Sequence, residues 1–216
     1  MTPEEILAHP PLSLTQAQRE AYFRNGYAAI PDATPTATLE AIRAKSAEFL
    51  EKSRTISGQH EFFDLGPSHS ADSPHVRRLR KPVDADPFFW ELATSDFMTA
   101  IAADLVGPDV KFHSAKLNYK WPGNAEVVKW HQDISAWPHT NYSPVTLGIY
   151  LDAVTGPEGP LACVPGSHEG PLYSHFDEDG QWTGAIADAD LQAAGIDTAE
   201  DLVGPAGTVI AINCRT

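Results

Sequence analysis

The sequence predicts a mainly β core, a sandwich or barrel, braced by helices that precede it. Three observations carry this. Helical spacing of apolar residues dominates the chain up to Gly107. After Asp109 the texture changes to short β-rich runs divided by Pro and Gly. No internal repeat or low-complexity tract breaks the order of helices first and strands after.

The elements follow in turn. "SLTQAQREAYFRNG" reads as a helix that Thr15 caps, with Tyr22 and Phe23 facing inward. Gly26 ends it in the left-handed conformation. "YAAIPD" is a short strand stopped by Pro31. The next helix runs from about Thr36 to Ser53, with Leu39, Ile42, Ser46, Phe49 and Leu50 at helical spacing. Residues 54–86 are rich in Gly, Pro, Ser, Asp and His, and read as loop with brief strands. "DPFFWELATSDFMTAIAADLVGPD" is expected to be one helix, capped by Asp86, opened by Pro87 and stopped at Gly107. The β-rich runs are then "VKFHSAKLNYKW", "AEVVKWHQD", "VTLGIYLDAV", "GPLACVPGS" and "GTVIAINCRT". Between the last two, "DADLQAAG" and "TAEDLVG" suggest short helices.

Composition narrows the function. A chain of 216 residues suits one domain. Its formal net charge of -14 argues against a nucleic-acid surface and against an anionic membrane surface. No apolar run approaches the roughly 18 residues that span a bilayer. The start, "MTPEEILAHPPLSL", has no basic region and no continuous apolar core, so it is not a secretory signal. Two cysteines, Cys163 and Cys214, read more simply as buried thiols of a cytoplasmic protein than as a disulfide. The sequence leaves the oligomeric state open.

"KWHQDISAW", residues 129–137, carries the chemistry. On a strand, residues two apart share a face. His131 and Asp133 would then lie side by side, with Gln132 opposite. An imidazole nitrogen and a carboxylate oxygen can converge on one metal ion, and the mixture suits Fe(II) better than calcium or structural zinc. A His-x-Asp triplet also arises by chance, and the competing reading is a histidine hydrogen-bonded to a nearby carboxylate. Trp130 and Trp137 flank the pair and make the setting partly dry, where a charge needs a partner. His168 and His175 are further histidines that could join it.

The wider pattern is more specific. "YFRNGYAAIPD", "FHSAKLNYK", "WHQD" and "VPGSHEG", in this order and spacing, resemble the phytanoyl-CoA dioxygenase family, a branch of the Fe(II)/2-oxoglutarate oxygenases that includes ectoine hydroxylases. The resemblance runs from about Gln18 to the end. It implies a double-stranded β-helix, or jelly roll, within a single oxygenase domain over 1–216: helical support over about 1–108 and the jelly-roll core over about 109–216. It implies that His131 and Asp133 are catalytic residues and two ligands of a facial triad of two histidines and one carboxylate. The opposite face of the iron would take 2-oxoglutarate and O2, with release of succinate and CO2 and hydroxylation of a small-molecule substrate. The presence of Asp133 favours hydroxylation over halogenation, since related halogenases have a small residue there.

Other positions follow from the same resemblance. Lys116 and Asn118 lie in a strand that faces the cosubstrate in relatives, and Lys81 in "RRLRKP" is a further candidate for a 2-oxoglutarate carboxylate. For Lys116 the competing reading is a solvated strand lysine. Trp137 matches a substrate-pocket position; its alternative is core packing, which is also the reading for Trp130. His168, on a turn eased by Gly166, is read as structural, and so are His113, His139 and His175. "SGQHEFFDLGPSHSADSPH" is expected to be an active-site lid or simply a mobile loop.

The pattern is incomplete. The family's third ligand, a histidine after the strand that "GTVIAIN" resembles, and its 2-oxoglutarate-binding arginine are expected beyond Thr216. A jelly roll needs about eight strands, and five or six follow Asp109, so the closing strands are expected to be missing and the natural chain to be longer. The resemblance thus favours a 2-oxoglutarate-dependent hydroxylase. The rivals are a non-catalytic jelly-roll binding protein and a cupin-type metalloenzyme that does not use 2-oxoglutarate. Substrate identity is not legible; the acidic balance leans against a polyanion such as CoA, and the aromatic surroundings suit a compact, partly apolar or cationic molecule.

Overall fold

In chain order the elements are α1 (Pro3–Ala8), α2 (Gln16–Asn25), β1 (Tyr27–Ile30), α3 (Thr36–Ser53), β2 (Phe63–Leu65), β3 (Val76–Arg80), α4 (Pro82–Ala85), α5 (Pro87–Ala93), α6 (Asp96–Val106), β4 (Lys116–Asn118), β5 (Val145–Ile149), β6 (Leu161–Cys163), β7 (Glu200–Leu202) and β8 (Val209–Asn213). They come from a computed structural model that describes residues 1–123, 127–137 and 139–216. The architecture is helices with small sheets. It divides into two units, one of residues 1–34, 100–110 and 127–216, the other of residues 35–99 and 111–126.

In the first unit β8 is the centre of an antiparallel sheet of order β1-β8-β5. Tyr27 faces Ile212 and Ile30 faces Val209 on one side; Val145 faces Asn213 and Ile149 faces Val209 on the other. Val209, Ile210 and Ala211 are all buried, which explains why β8 reads as a continuous apolar run rather than an alternating one. Tyr27, Ile210, Cys163 and Leu202 form a core cluster that joins this sheet to the β6-β7 pair. Thr15 and Gln18 cap α2 reciprocally. Tyr22 is buried and Phe23 half-buried. Gly26 ends α2 at φ 85°, and a Cβ there would stand 2.6 Å from His168 Nδ1, so both conformation and space require glycine.

The second unit is built on the sheet β2-β3-β4. Phe49 of α3 and Phe89 of α5 pack on Phe63, Val76 and Leu79. Asp86 caps α5 by accepting the Phe88 N–H and pairs with Lys45 at 3.0 Å.

Three expectations are corrected. The helix expected over Asp86–Gly107 is two, because Thr94 leaves helical geometry (φ -99°, ψ 4°) and the Ser95 hydroxyl accepts the Met98 N–H to start α6 afresh. "TAEDLVG" is not helical: its Glu200–Leu202 forms β7, whose backbone groups pair with β6. "DADLQAAG" makes a short 3-10 turn, Asp188–Asp190, instead of a helix.

Candidate metal centre

The stretch that holds His131 and Asp133 is not a strand. Its expected start, Ala125 and Glu126, lies outside the described residues. From Val127 to Gln132 no ladder forms, and Asp133 opens a 3-10 turn, Asp133–Ala136. The backbone donors here go elsewhere: the Gln132 N–H to a side chain at 2.9 Å and the Ile134 N–H to the Cys214 carbonyl at 2.8 Å. Even so, Gln132 is extended (φ -112°, ψ 122°). One extended residue is enough to send its two neighbours to one side and its own side chain to the other.

His131 Nε2 lies 3.5 Å from Asp133 Oδ1. His131 Nδ1 stands 2.8 Å from the Lys129 carbonyl oxygen. A carbonyl only accepts, so Nδ1 carries the proton and Nε2 turns its lone pair towards the carboxylate. Thr146 of β5 donates its hydroxyl to Asp133 Oδ2 at 2.9 Å. Two electron-rich atoms thus face one another across 3.5 Å. A proton on Nε2 or a shared cation relieves that opposition. The side chains are 36% and 22% exposed, so the pair opens to solvent on one side. An imidazole nitrogen and a carboxylate oxygen fit two protein positions of a facial ferrous site. Among the described residues no third His, Cys, Asp or Glu completes a metal-binding group.

Gln132, on the opposite side, is buried and fully engaged. Its Oε1 accepts the Tyr173 N–H at 3.0 Å, and its Nε2 donates to the carbonyls of Arg215 (2.9 Å) and Pro171 (3.2 Å). Its backbone N–H donates to His175 Nε2. His175 donates from Nδ1 to the Tyr173 carbonyl at 3.0 Å and stacks on Trp182. Burial is the main cause that lowers its pKa, against the hydrogen bond to the Tyr173 carbonyl, which raises it, so the neutral form is favoured. Two thiols sense the same carboxylate. Burial first and the Asp133 charge second push Cys163 up to about 12, and the same two causes push Cys214 up to about 11.

The remaining candidates are placed as follows. Trp137 is half-buried, edge-on to His139. His168 donates from Nε2 to the Phe23 carbonyl, a tie between the 166–170 turn and the end of α2. In the second unit Lys116 and Asn118 are exposed on one face of β4, opposite Arg80 and Arg78 respectively. Asn118 Oδ1 accepts from Arg78 Nε at 3.0 Å. Lys81 is exposed and holds a left-handed backbone (φ 46°), uncommon outside glycine. The expected lid over 57–75 is tied both to itself and to α3: His69 Nδ1 accepts the His75 N–H at 2.9 Å and His69 Nε2 donates to the Ser53 carbonyl at 3.1 Å. It borders a cleft of about 710 Å³ with Arg54, His69 and Arg80 among its walls.

Sequence reasoning missed Thr146 and Gln132 as supports, and left His175 either as a histidine that could join the pair or as a structural one. The inversion of Gln132 was legible; the residues it meets were not, since nothing local marks them.

The class this defines is a helix-and-sheet protein in which a histidine and a carboxylate converge. Residues 22–216 match the family described as Phytanoyl-CoA dioxygenase (PhyH), and the chain belongs to that family. It is 32% identical over 164 residues to a probable alpha-ketoglutarate-dependent hypophosphite dioxygenase of Stutzerimonas stutzeri, covering 74% of this chain and 57% of the relative. It is 28% identical over 160 residues to the L-proline trans-4-hydroxylase of Streptomyces griseoviridis, covering 65% and 59%. The chain therefore spans less than two thirds of the length of these relatives. The crystal structure of EctD from S. alaskensis with bound Fe shares the fold, with a TM-score of 0.78 and 20% identity over 96% of this chain and 70% of that one. Among the described residues no helix is long and apolar enough to cross a membrane.

Proposed function

We propose that this chain is the greater part of an Fe(II)- and 2-oxoglutarate-dependent dioxygenase that hydroxylates a small molecule, consumes O2 and releases succinate and CO2. The observation that carries the reading is the approach of His131 Nε2 to Asp133 Oδ1. In this reading the whole chain is one oxygenase domain and its sheets are part of a double-stranded β-helix. His131 and Asp133 are the catalytic metal ligands. The Lys129 carbonyl fixes the imidazole so that Nε2 faces Asp133, and Thr146 holds one carboxylate oxygen so that the other is left for the ion. When bound, ferrous iron with 2-oxoglutarate supplies the oxidative chemistry. For Lys116, Lys81 and Asn118, all in the second unit, a part in holding the cosubstrate rests on the family resemblance alone. Trp137 presents an aromatic wall to the substrate.

The named substrates of these two relatives, hypophosphite and L-proline, are compact and polar, which supports a small substrate. A cytoplasmic setting goes with the reading, because ferrous iron and two unpaired buried thiols both call for reducing conditions. The test is a substrate screen on the natural full-length protein that reads succinate formed with Fe(II) and 2-oxoglutarate. Asp133→Ala is expected to abolish substrate-dependent succinate; retained turnover in that variant would remove the ligand assignment.

A further inference from the structure

We propose that His175 is a positioning residue of the metal centre: its Nε2 accepts the amide of Gln132, the residue between the two proposed ligands, and so holds their side chains convergent. This rests on the iron reading given above.

The geometry makes the role specific. His131 and Asp133 share a side only because Gln132 is extended. Strand pairing does not enforce that conformation here, since no ladder includes Gln132. The Gln132 side chain is held by the Arg215, Pro171 and Tyr173 backbone and the Ile134 N–H by Cys214, while the segment 171–186 grips the backbone itself at two alternate residues. The Ile186 N–H donates to the Trp130 carbonyl at 2.8 Å, and the Gln132 N–H donates to His175 Nε2 at 2.9 Å. The imidazole thus stands where a neighbouring strand would offer a carbonyl.

The residue is itself fixed at three points, two on the ring and one on its backbone. Nδ1 donates to the Tyr173 carbonyl, which leaves Nε2 as the acceptor. Trp182 lies nearly parallel to it, with centroids 5.6 Å apart and planes inclined by 15°. The His175 carbonyl accepts from both the N–H and the hydroxyl of Thr183 at 2.9 and 3.0 Å. With only 2% of its surface exposed, His175 exchanges none of these partners readily for water. Removal of the Nε2 acceptor would leave the Gln132 N–H buried without a partner and free the peptide to turn. Such a turn rotates the two flanking side chains away from each other.

The test uses the natural full-length protein and Co(II) as the probe. His175→Phe keeps a stackable ring without the acceptor, and His175→Gln returns an acceptor at about the Nε2 position. His175→Phe is expected to weaken Co(II) binding roughly 10- to 100-fold. It should also speed hydrogen exchange at the Gln132 amide while the protein stays folded. His175→Gln is expected to restore most of both. Should His175→Phe fail to fold, His175→Asn keeps the donor to Tyr173, cannot reach Gln132, and decides by the same readouts. Wild-type Co(II) affinity in the folded acceptor-free variant, or unchanged protection of Gln132, overturns the role of His175 and leaves the iron reading standing. Absence of Co(II) binding by the wild-type protein overturns the iron reading first, and this role with it.

Discussion

Replacement of Thr146 by valine tests the proposed centre without touching either ligand. The two side chains have nearly the same shape, and the backbone pairing of Thr146 with Ile212 is unaffected. What goes is the 2.9 Å hydrogen bond to Asp133 Oδ2. Two effects then compete. The hydroxyl draws charge from the carboxylate, so its loss makes the oxygens slightly better donors to a cation. It also fixes the carboxylate, so its loss leaves a rotor that must be ordered when the ion binds. Ordering a side chain costs about 0.5–1.5 kcal/mol. Partners that orient ligands are typically worth at least tenfold in metal affinity, which corresponds to about 1.4 kcal/mol. Asp133 is 22% exposed, so water can replace part of the lost donor and the effect should not exceed this. We expect Thr146→Val to weaken Co(II) binding about tenfold, and Thr146→Ser to keep wild-type affinity, both read by calorimetric titration. Unchanged or tighter binding in Thr146→Val would refute the orienting role and show that charge withdrawal dominates.

Two further predictions concern the frame. Asp104 is buried and accepts the N–H groups of Leu12, Ser13 and Leu14 at 2.8, 2.8 and 2.7 Å. Asp104→Ala strands three donors, each worth about 1–3 kcal/mol if wholly buried. Leu12 and Ser13 can turn to solvent, so a loss of about 3 kcal/mol is expected in urea unfolding, with Co(II) binding intact in the folded fraction. Asp86 has its pKa lowered, first by the Phe88 N–H that it caps. A carboxyl depressed in the folded state stabilises above its unfolded value and loses that contribution as pH falls through the folded value. Asp86→Ala should therefore be about 1 kcal/mol less stable at neutral pH. The gap to wild type should close as pH falls well below about 4, checked by thermal melts across that range.

What the sequence disclosed was whatever a few neighbouring residues determine. The bounds of α3 follow from Leu39, Ile42 and Phe49 at helical spacing, and all three are buried. The stop at Gly26 follows from its left-handed backbone. The pairing of His131 with Asp133 was legible because one extended residue fixes it. What stayed hidden depends on partners far along the chain. Glu200–Leu202 is a strand because β6 lies beside it, although its own composition suits a helix. The break at Thr94–Ser95 turns on a serine hydroxyl that competes with the helix for a backbone donor. The grip on Gln132 comes from residues 43 and 83 positions away, with no periodic pattern to announce them.

The two thiols bear on which ion the pair would select. Cys163 and Cys214 are both buried and both within the field of Asp133. Their pKa values, pushed up to about 12 and about 11, keep them as S–H at neutral pH. Thiolate is the donor that draws zinc and copper(I) away from nitrogen and oxygen sites. The carboxylate proposed to hold iron therefore also adds, after burial, to what keeps the two thiols protonated. The donor set on offer remains imidazole and carboxylate, a combination on which ferrous iron can exchange its other ligands.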